Sequence, residues 1–137
     1  MSSTVHGGLA EKCIDGGVSG RASMCHTDFE AAPWLALDFG GKINIEKVVI
    51  HNRDKCCWDR LRNAEVRVAD QLPSSGQEMF SGGQLFATFA GPGKKGEEVI
   101  LTSSAAGLGG KFVINQIDNS QGAEALNLNE VTVWGKL

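Results

Sequence analysis

The chain runs to 137 residues, 42% hydrophobic, with eighteen glycines and three prolines, the make-up of one folded, turn-rich domain spanning 1–137. Its net charge of −3 gives no general attraction to nucleic-acid or membrane phosphate. No stretch of about 18 apolar residues is available to cross a bilayer as a helix, so neither nucleic-acid binding nor membrane insertion is expected.

The opening residues Met1-Ser2-Ser3-Thr4-Val5 carry neither the basic nor the apolar stretch of a signal peptide. Lys12-Cys13-Ile14-Asp15-Gly16-Gly17 contains an Asp-Gly turn signal, and Cys25-His26-Thr27 follows shortly after it. From there the apolar residues alternate: Leu35/Leu37/Phe39, Ile43/Ile45, Val48/Ile50, Val66/Val68, Phe86 to Phe89, Val99 to Leu101, Val113 to Ile117 and Val131/Val133. Gly16-Gly17, Gly40-Gly41, Gly82-Gly83, Gly91-Pro92-Gly93 and Gly107 to Gly110 separate these runs and read as loops. No window sustains a 3.6-residue period, so the pattern predicts an all-β sandwich with Trp34, Phe39, Phe112 and Trp134 in its core.

The stretch from His51 to Leu61 departs from this ordinary pattern. Cys56 and Cys57 are adjacent and stand between Arg53 and Arg60. Neighbouring Cα atoms lie about 3.8 Å apart, whereas an unstrained disulfide prefers roughly 4.4 to 6.8 Å, so a Cys56–Cys57 bond is a strained ring with an exposed, flat sulfur face. Arginines on either side offer fans of N–H donors. Donors beside a weakly polar face suit a sugar.

With His26 placed 27 residues before Arg53, the passage resembles the signature of the F-type, fucose-binding lectins. The similarity continues through Pro33 to Gly40, Ile43 to Ile50, Arg60 to Val68 and Leu126 to Trp134. It implies a discoidin-like jelly-roll β-sandwich of about eight strands with binding loops at one end. It also implies that His26, Arg53 and Arg60 bind α-L-fucose while a Cys56–Cys57 disulfide packs against the ring carbons. His26 is expected to donate from one ring nitrogen while the protein holds the other. His6 falls where the family builds a pocket wall, and Trp58 either packs against a second sugar or anchors its loop. Lys55 takes the place of the family's aspartate and Asp54 comes one residue early, on the opposite face if the segment is extended.

The same resemblance implies a structural calcium site of hard oxygen donors. Asp15 and Glu130 supply carboxylates, Ser23 its carbonyl and hydroxyl, and Lys12, Gly17 and Asn129 their carbonyls. Asn129 stands where relatives have a cysteine, which leaves Cys13 to pair with Cys25. Zinc at Cys25, His26, Cys56 and Cys57 is the weaker reading, because no Cys-x-x-Cys spacing is present.

A non-catalytic lectin for fucosylated glycans and glycoproteins is therefore expected, secreted or extracellular because such disulfides form in oxidising compartments. The leader is taken to have been trimmed, or the route of export to be unusual. Avidity would come from clustering of sites in a homo-oligomer or a tandem array. A discoidin-type adhesion module that binds protein or phospholipid is the alternative. A glycosidase would need two carboxylates about the scissile bond, and nothing in the sequence raises the pKa of Asp54 or Asp59.

Overall fold

The period-two runs form antiparallel strands in a computed structural model that describes residues 1–119 and 122–137. The strands are β1 (Cys25–His26), β2 (Trp34–Asn52), β3 (Ala64–Ala69), β4 (Gln84–Phe89), β5 (Glu98–Leu101), β6 (Gly109–Ile117) and β7 (Asn127–Lys136). They pair in the order β1-β7-β2-β6-β3-β4, with β5 also on β2. Short 3-10 turns at Ala10–Ile14, Arg21–Ser23 and Trp58–Arg60 complete the elements. Among the described residues no helix is long and apolar enough to cross a membrane.

Among the described residues seven strands stand where about eight were expected, and three of the alternating runs belong to one strand of 19 residues. Gly40 has φ +73° and its N–H donates to Asp38 Oδ1 at 2.8 Å, so the Gly40-Gly41 pair bends β2 instead of ending it. The register shifts between Asp38 and Ile43. β2 pairs with β6 from Trp34 to Asn44, on both sides of the bend, and then with β7 from Asn44 and with β5 from Val48. One strand thus serves both layers of the sandwich and delivers its last residue, Asn52, to the end where the binding loops lie.

The main core holds Leu35, Val48, Ile50, Val66, Val113 and Leu128, and a smaller cluster of Trp34, Ala69, Phe112 and Ile114 covers the other face of β6. Trp34 and Phe112 are buried as expected, and Phe39 packs partly buried on the main core. Trp134 is not a core residue: it is 44% exposed, with Lys47 Nζ 4.2 Å from its ring centroid. Alternation turns Val131 and Val133 inward and Trp134 to the uncovered face. Cys13 and Cys25 form a disulfide that ties the Ala10–Ile14 turn to β1, with both residues fully buried.

Candidate functional site

Arg53 leaves β2 into a loop fixed by its neighbour Asn52. The Asn52 amide donates to the carbonyls of Trp58 at 2.8 Å and Lys94 at 3.0 Å, and its oxygen accepts from Arg53 N at 2.9 Å. Arg53 is only 4% exposed. Its Nη1 donates to Asn127 Oδ1 at 2.8 Å and its Nη2 to Cys56 Sγ at 3.3 Å, while Nε is buried and has no partner among the described residues. Asn127 is also the cross-strand partner of His26. Its own amide donates to Ala125 O at 3.0 Å, so the oxygen is held toward Arg53. Nothing in the sequence marks Asn127, because a single asparagine on a terminal strand carries no motif.

His26 is held from two sides. Its backbone pairs with Val5 and Gly8, and a Cβ on Gly8 would stand 2.7 Å from the His26 backbone nitrogen, so only glycine lets the two segments approach this closely. Its Nδ1 lies 2.6 Å from Thr27 O. A carbonyl only accepts, so Nδ1 carries the proton. Burial is the main cause that pushes the His26 pKa below its ordinary value, with Arg53, His6 and Arg60 adding to it against the Thr27 hydrogen bond. The neutral ring then leaves Nε2 as an acceptor, which reverses the donor role read from the sequence.

His6 meets His26 edge to face with centroids 5.3 Å apart. Arg60 lies 5.1 Å from the Phe29 ring centroid, and its Nε is 3.4 Å from Glu124 Oε1, a carboxylate shared with Arg62 at 3.1 Å. Together His6, His26, Arg53 and Arg60 line one pocket of about 390 Å³ with Cys56 and Cys57. Gly8, Arg21 and Met24 complete it, three positions that the sequence reading did not single out. No aspartate or glutamate is among the lining residues. Trp58 does not line the pocket; its backbone carbonyl accepts from Asn52 and Leu61 in the turn that follows Cys57.

Cys56 and Cys57 are two free thiols here, not the disulfide that the resemblance implies. A bond between adjacent cysteines on a trans peptide would be strained, and here the two side chains interact as thiols. Cys57 donates, which is the main cause lowering the Cys56 pKa and raising that of Cys57. Cys57 sits in the left-handed region at φ +60° and His6 at φ +54°, a backbone conformation uncommon for residues other than glycine. Asp54 does not brace the arginines. Its carboxylate takes the Ser19 hydroxyl and, at 3.0 Å, the Gly20 N–H, which are the main causes holding its pKa down. Lys55 is exposed.

The residues expected to hold calcium also converge. Gly17 N–H donates to Asp15 Oδ1 at 2.8 Å and Gly16 N–H to Glu130 Oε2 at 3.1 Å. A Cβ on Gly17 would fall 1.9 Å from Ser23 Oγ and 3.1 Å from Asp15 Oδ1, so the hydroxyl and the carboxylate crowd one glycine. Lys12 lies in the turn that leads into Asp15. Burial raises the Glu130 pKa, and the Asp15 charge raises it further. A buried carboxylate at Glu130 and an exposed one at Asp15, with a hydroxyl beside them, fit a hard cation. The Asn129 side chain lies nearby: its amide donates to the carbonyls of Gly20 at 2.7 Å and Ser23 at 3.1 Å, and its Oδ1 is buried with no partner among the described residues. No cluster of three or more His, Cys, Asp or Glu side chains suited to a metal forms among the described residues. The zinc reading fails on geometry, since Cys25 is bonded to Cys13.

The chain matches a known family. The profile of the NedA-like, galactose-binding domain covers residues 12–102. A pentraxin fusion protein of Xenopus laevis is 30% identical over 128 residues, 91% of this chain and 29% of that protein. A fucolectin of Anguilla anguilla is 33% identical over 70 residues, 49% of this chain and 44% of that one. The chain thus spans less than half the length of these two relatives. The F-lectin from striped bass (Morone saxatilis) serum superposes with a TM-score of 0.84 at 22% identity, over 98% of this chain and 45% of that one. The lectin domain of lectinolysin, solved with Lewis B antigen, gives 0.75 at 26% identity, over 99% and 90%. The chain belongs to the family of NedA-like, galactose-binding domains, and it shares the signature and the β-sandwich of the F-type lectins within that fold.

Proposed function

We propose that the chain is a lectin domain that binds the fucose of fucosylated glycans and glycoproteins and is stabilised by calcium. The observation that carries this reading is the meeting of His26, Arg53 and Arg60 in one pocket with the Cys56 and Cys57 sulfurs. A sugar hydroxyl both donates and accepts, and the pocket offers both complements. Arg53 and Arg60 give charge-assisted donors, and neutral His26 gives an acceptor at Nε2. The two sulfurs give the less polar side of the ring a surface to rest on. Asn127 positions Arg53, and the Val5 to Gly8 segment positions His26. The fucolectin relative and the Lewis B complex of a 26% identical lectin domain support this choice of ligand.

Binding without catalysis follows from the carboxylates. Asp54, beside the pocket, is held ionised by Ser19 and Gly20, the opposite of what a general acid needs. Calcium would be held by Asp15 and Glu130 through carboxylates, by Ser23 through carbonyl and hydroxyl, and by the Lys12, Gly17 and Asn129 carbonyls, and its charge would offset the two acids. The buried Cys13–Cys25 disulfide supports an oxidising, extracellular setting.

A glycan array run with and without free L-fucose tests the reading, with competition expected at every bound spot. Arg53→Lys removes the planar fork that reaches Asn127 and Cys56 at once. It is expected to weaken L-fucose binding by about 1 to 3 kcal/mol in calorimetry. Unchanged affinity would take Arg53 out of the site.

A further inference from the structure

Arg21 is the one cation of the pocket that a neutral sugar leaves without an assignment. Its side chain is exposed, lines the pocket beside Cys56, and makes no hydrogen bond or ion pair among the described residues. Its backbone, by contrast, is pinned. Gly20, just before it, donates to Asp54 Oδ1 at 3.0 Å, and Asn129 Nδ2 binds the carbonyls of Gly20 and Ser23 at either end of the turn. Asp54 and Asn129 are two places where this sequence departs from the F-type pattern, and both departures fasten the turn that carries Arg21. A free guanidinium on a fixed turn is a pre-organised anion receptor.

The charge balance points the same way. Among the described residues, the pocket has no lining carboxylate. Arg53 is met by the neutral groups of Asn127 and Cys56, and the single carboxylate near Arg60 is shared with Arg62. Arg53 Nε is buried with no partner among the described residues. The chain carries a net charge of −3, yet its pocket is positive. The same field reaches the Cys56 thiol, where Arg53, Arg60 and Arg21 each favour the thiolate after the Cys57 hydrogen bond.

We propose that the preferred ligand is an anionic fucosylated glycan, in which a sulfate ester or a carboxylate on a sugar next to the fucose seats against Arg21. This rests on the fucose reading above and adds a substituent to it. The anion gains a charge-assisted fork at Arg21 that a hydroxyl in its place does not.

Calorimetry with the neutral Lewis a trisaccharide, its 3′-sulfate ester and its 3′-sialyl derivative tests both readings separately. At low salt at least one anionic probe is expected to bind about tenfold more tightly than the neutral parent, and the advantage should shrink as salt is raised toward physiological strength. The stronger of the two anionic probes identifies the group as sulfate or carboxylate. In Arg21→Gln, with an unchanged melting temperature as proof of folding, the ratio of anionic to neutral affinity should fall to near one. Neutral and anionic probes bound equally by the parent protein would overturn this proposal and leave the fucose reading standing. An advantage that survives in Arg21→Gln would overturn the assignment to Arg21. No binding by any probe would sink the fucose reading and this one together.

Discussion

A histidine whose Nδ1–H is held by a carbonyl is an acceptor when neutral and a donor when charged, and the switch lies at its pKa. For His26 burial sets that pKa below the ordinary value of about 6.5. Near neutral pH its Nε2 is therefore free to act as the acceptor that the proposed sugar site requires. Protonation replaces that acceptor with a third cation beside Arg53 and Arg60. The sign for folding is the same: a depressed pKa contributes stability that is full above the unfolded value and is lost as pH falls through the folded one. L-fucose affinity is thus expected to stay flat between about pH 8 and 7 and to weaken in acid below the ordinary histidine range, with the melting temperature falling in the same window. Calorimetry across that range checks it, and affinity that rises in acid would reject the acceptor role. At this scale His26, Arg53 and Arg60 were legible because their spacing is itself a signal. Asn127, Phe29 and Arg21 were not. Each reaches the pocket or its arginines from a distant stretch of sequence, a placement that only the fold creates.

Strands were the most legible elements, because a period of two is written into the side chains wherever one face is buried. Its limits show at β2 and β7. Glycine pairs serve both loops and bulges, so Gly40-Gly41 read as an end when it is a bend. Alternation also says nothing about whether the second face is covered, and that left Trp134 misplaced. The interior of β6 poses a further question. Asn115 lies in register with Leu35 on one side and Val66 on the other, is 2% exposed, and both of its amide atoms lack partners among the described residues. A buried amide without partners costs about 1 to 3 kcal/mol. Replacement by an apolar side chain of similar volume removes that cost, so Asn115→Leu is expected to raise the unfolding free energy by about that amount. Urea denaturation decides it. A loss of stability would mean that an ordered water satisfies the amide in solution.

Across the whole molecule, the N-terminal turn, β1 and β7 form one unit around the acids Asp15 and Glu130. The Cys13–Cys25 bond joins the first two, with a loop-entropy contribution on the order of 3 kcal/mol, and Cys13 Sγ lies 3.2 Å from Leu128 O on the third. Within this frame Glu130 is buried, faces the Asp15 charge and has a raised pKa. A carboxyl with a raised folded pKa contributes stability that is full below its unfolded value of about 4.3 and is lost as pH rises through the folded value. At neutral pH the metal-free protein therefore carries a cost that a bound cation would remove. Saturating calcium is expected to raise the melting temperature by mass action on the native state, and more at neutral pH than in acid, where protons compete for Glu130. Glu130→Gln separates the charge from the hydrogen bond, since its amide oxygen still accepts the Gly16 N–H. The variant is expected to melt higher than the parent in EDTA at neutral pH and to show no calcium-dependent rise. Thermal melts of both proteins, stripped of metal and then titrated with calcium, measure the four quantities at once. Parent curves that coincide in calcium and in EDTA would remove the metal from this site, and a variant less stable than the parent in EDTA would show that the buried Glu130 carboxylate carries no net cost beside Asp15.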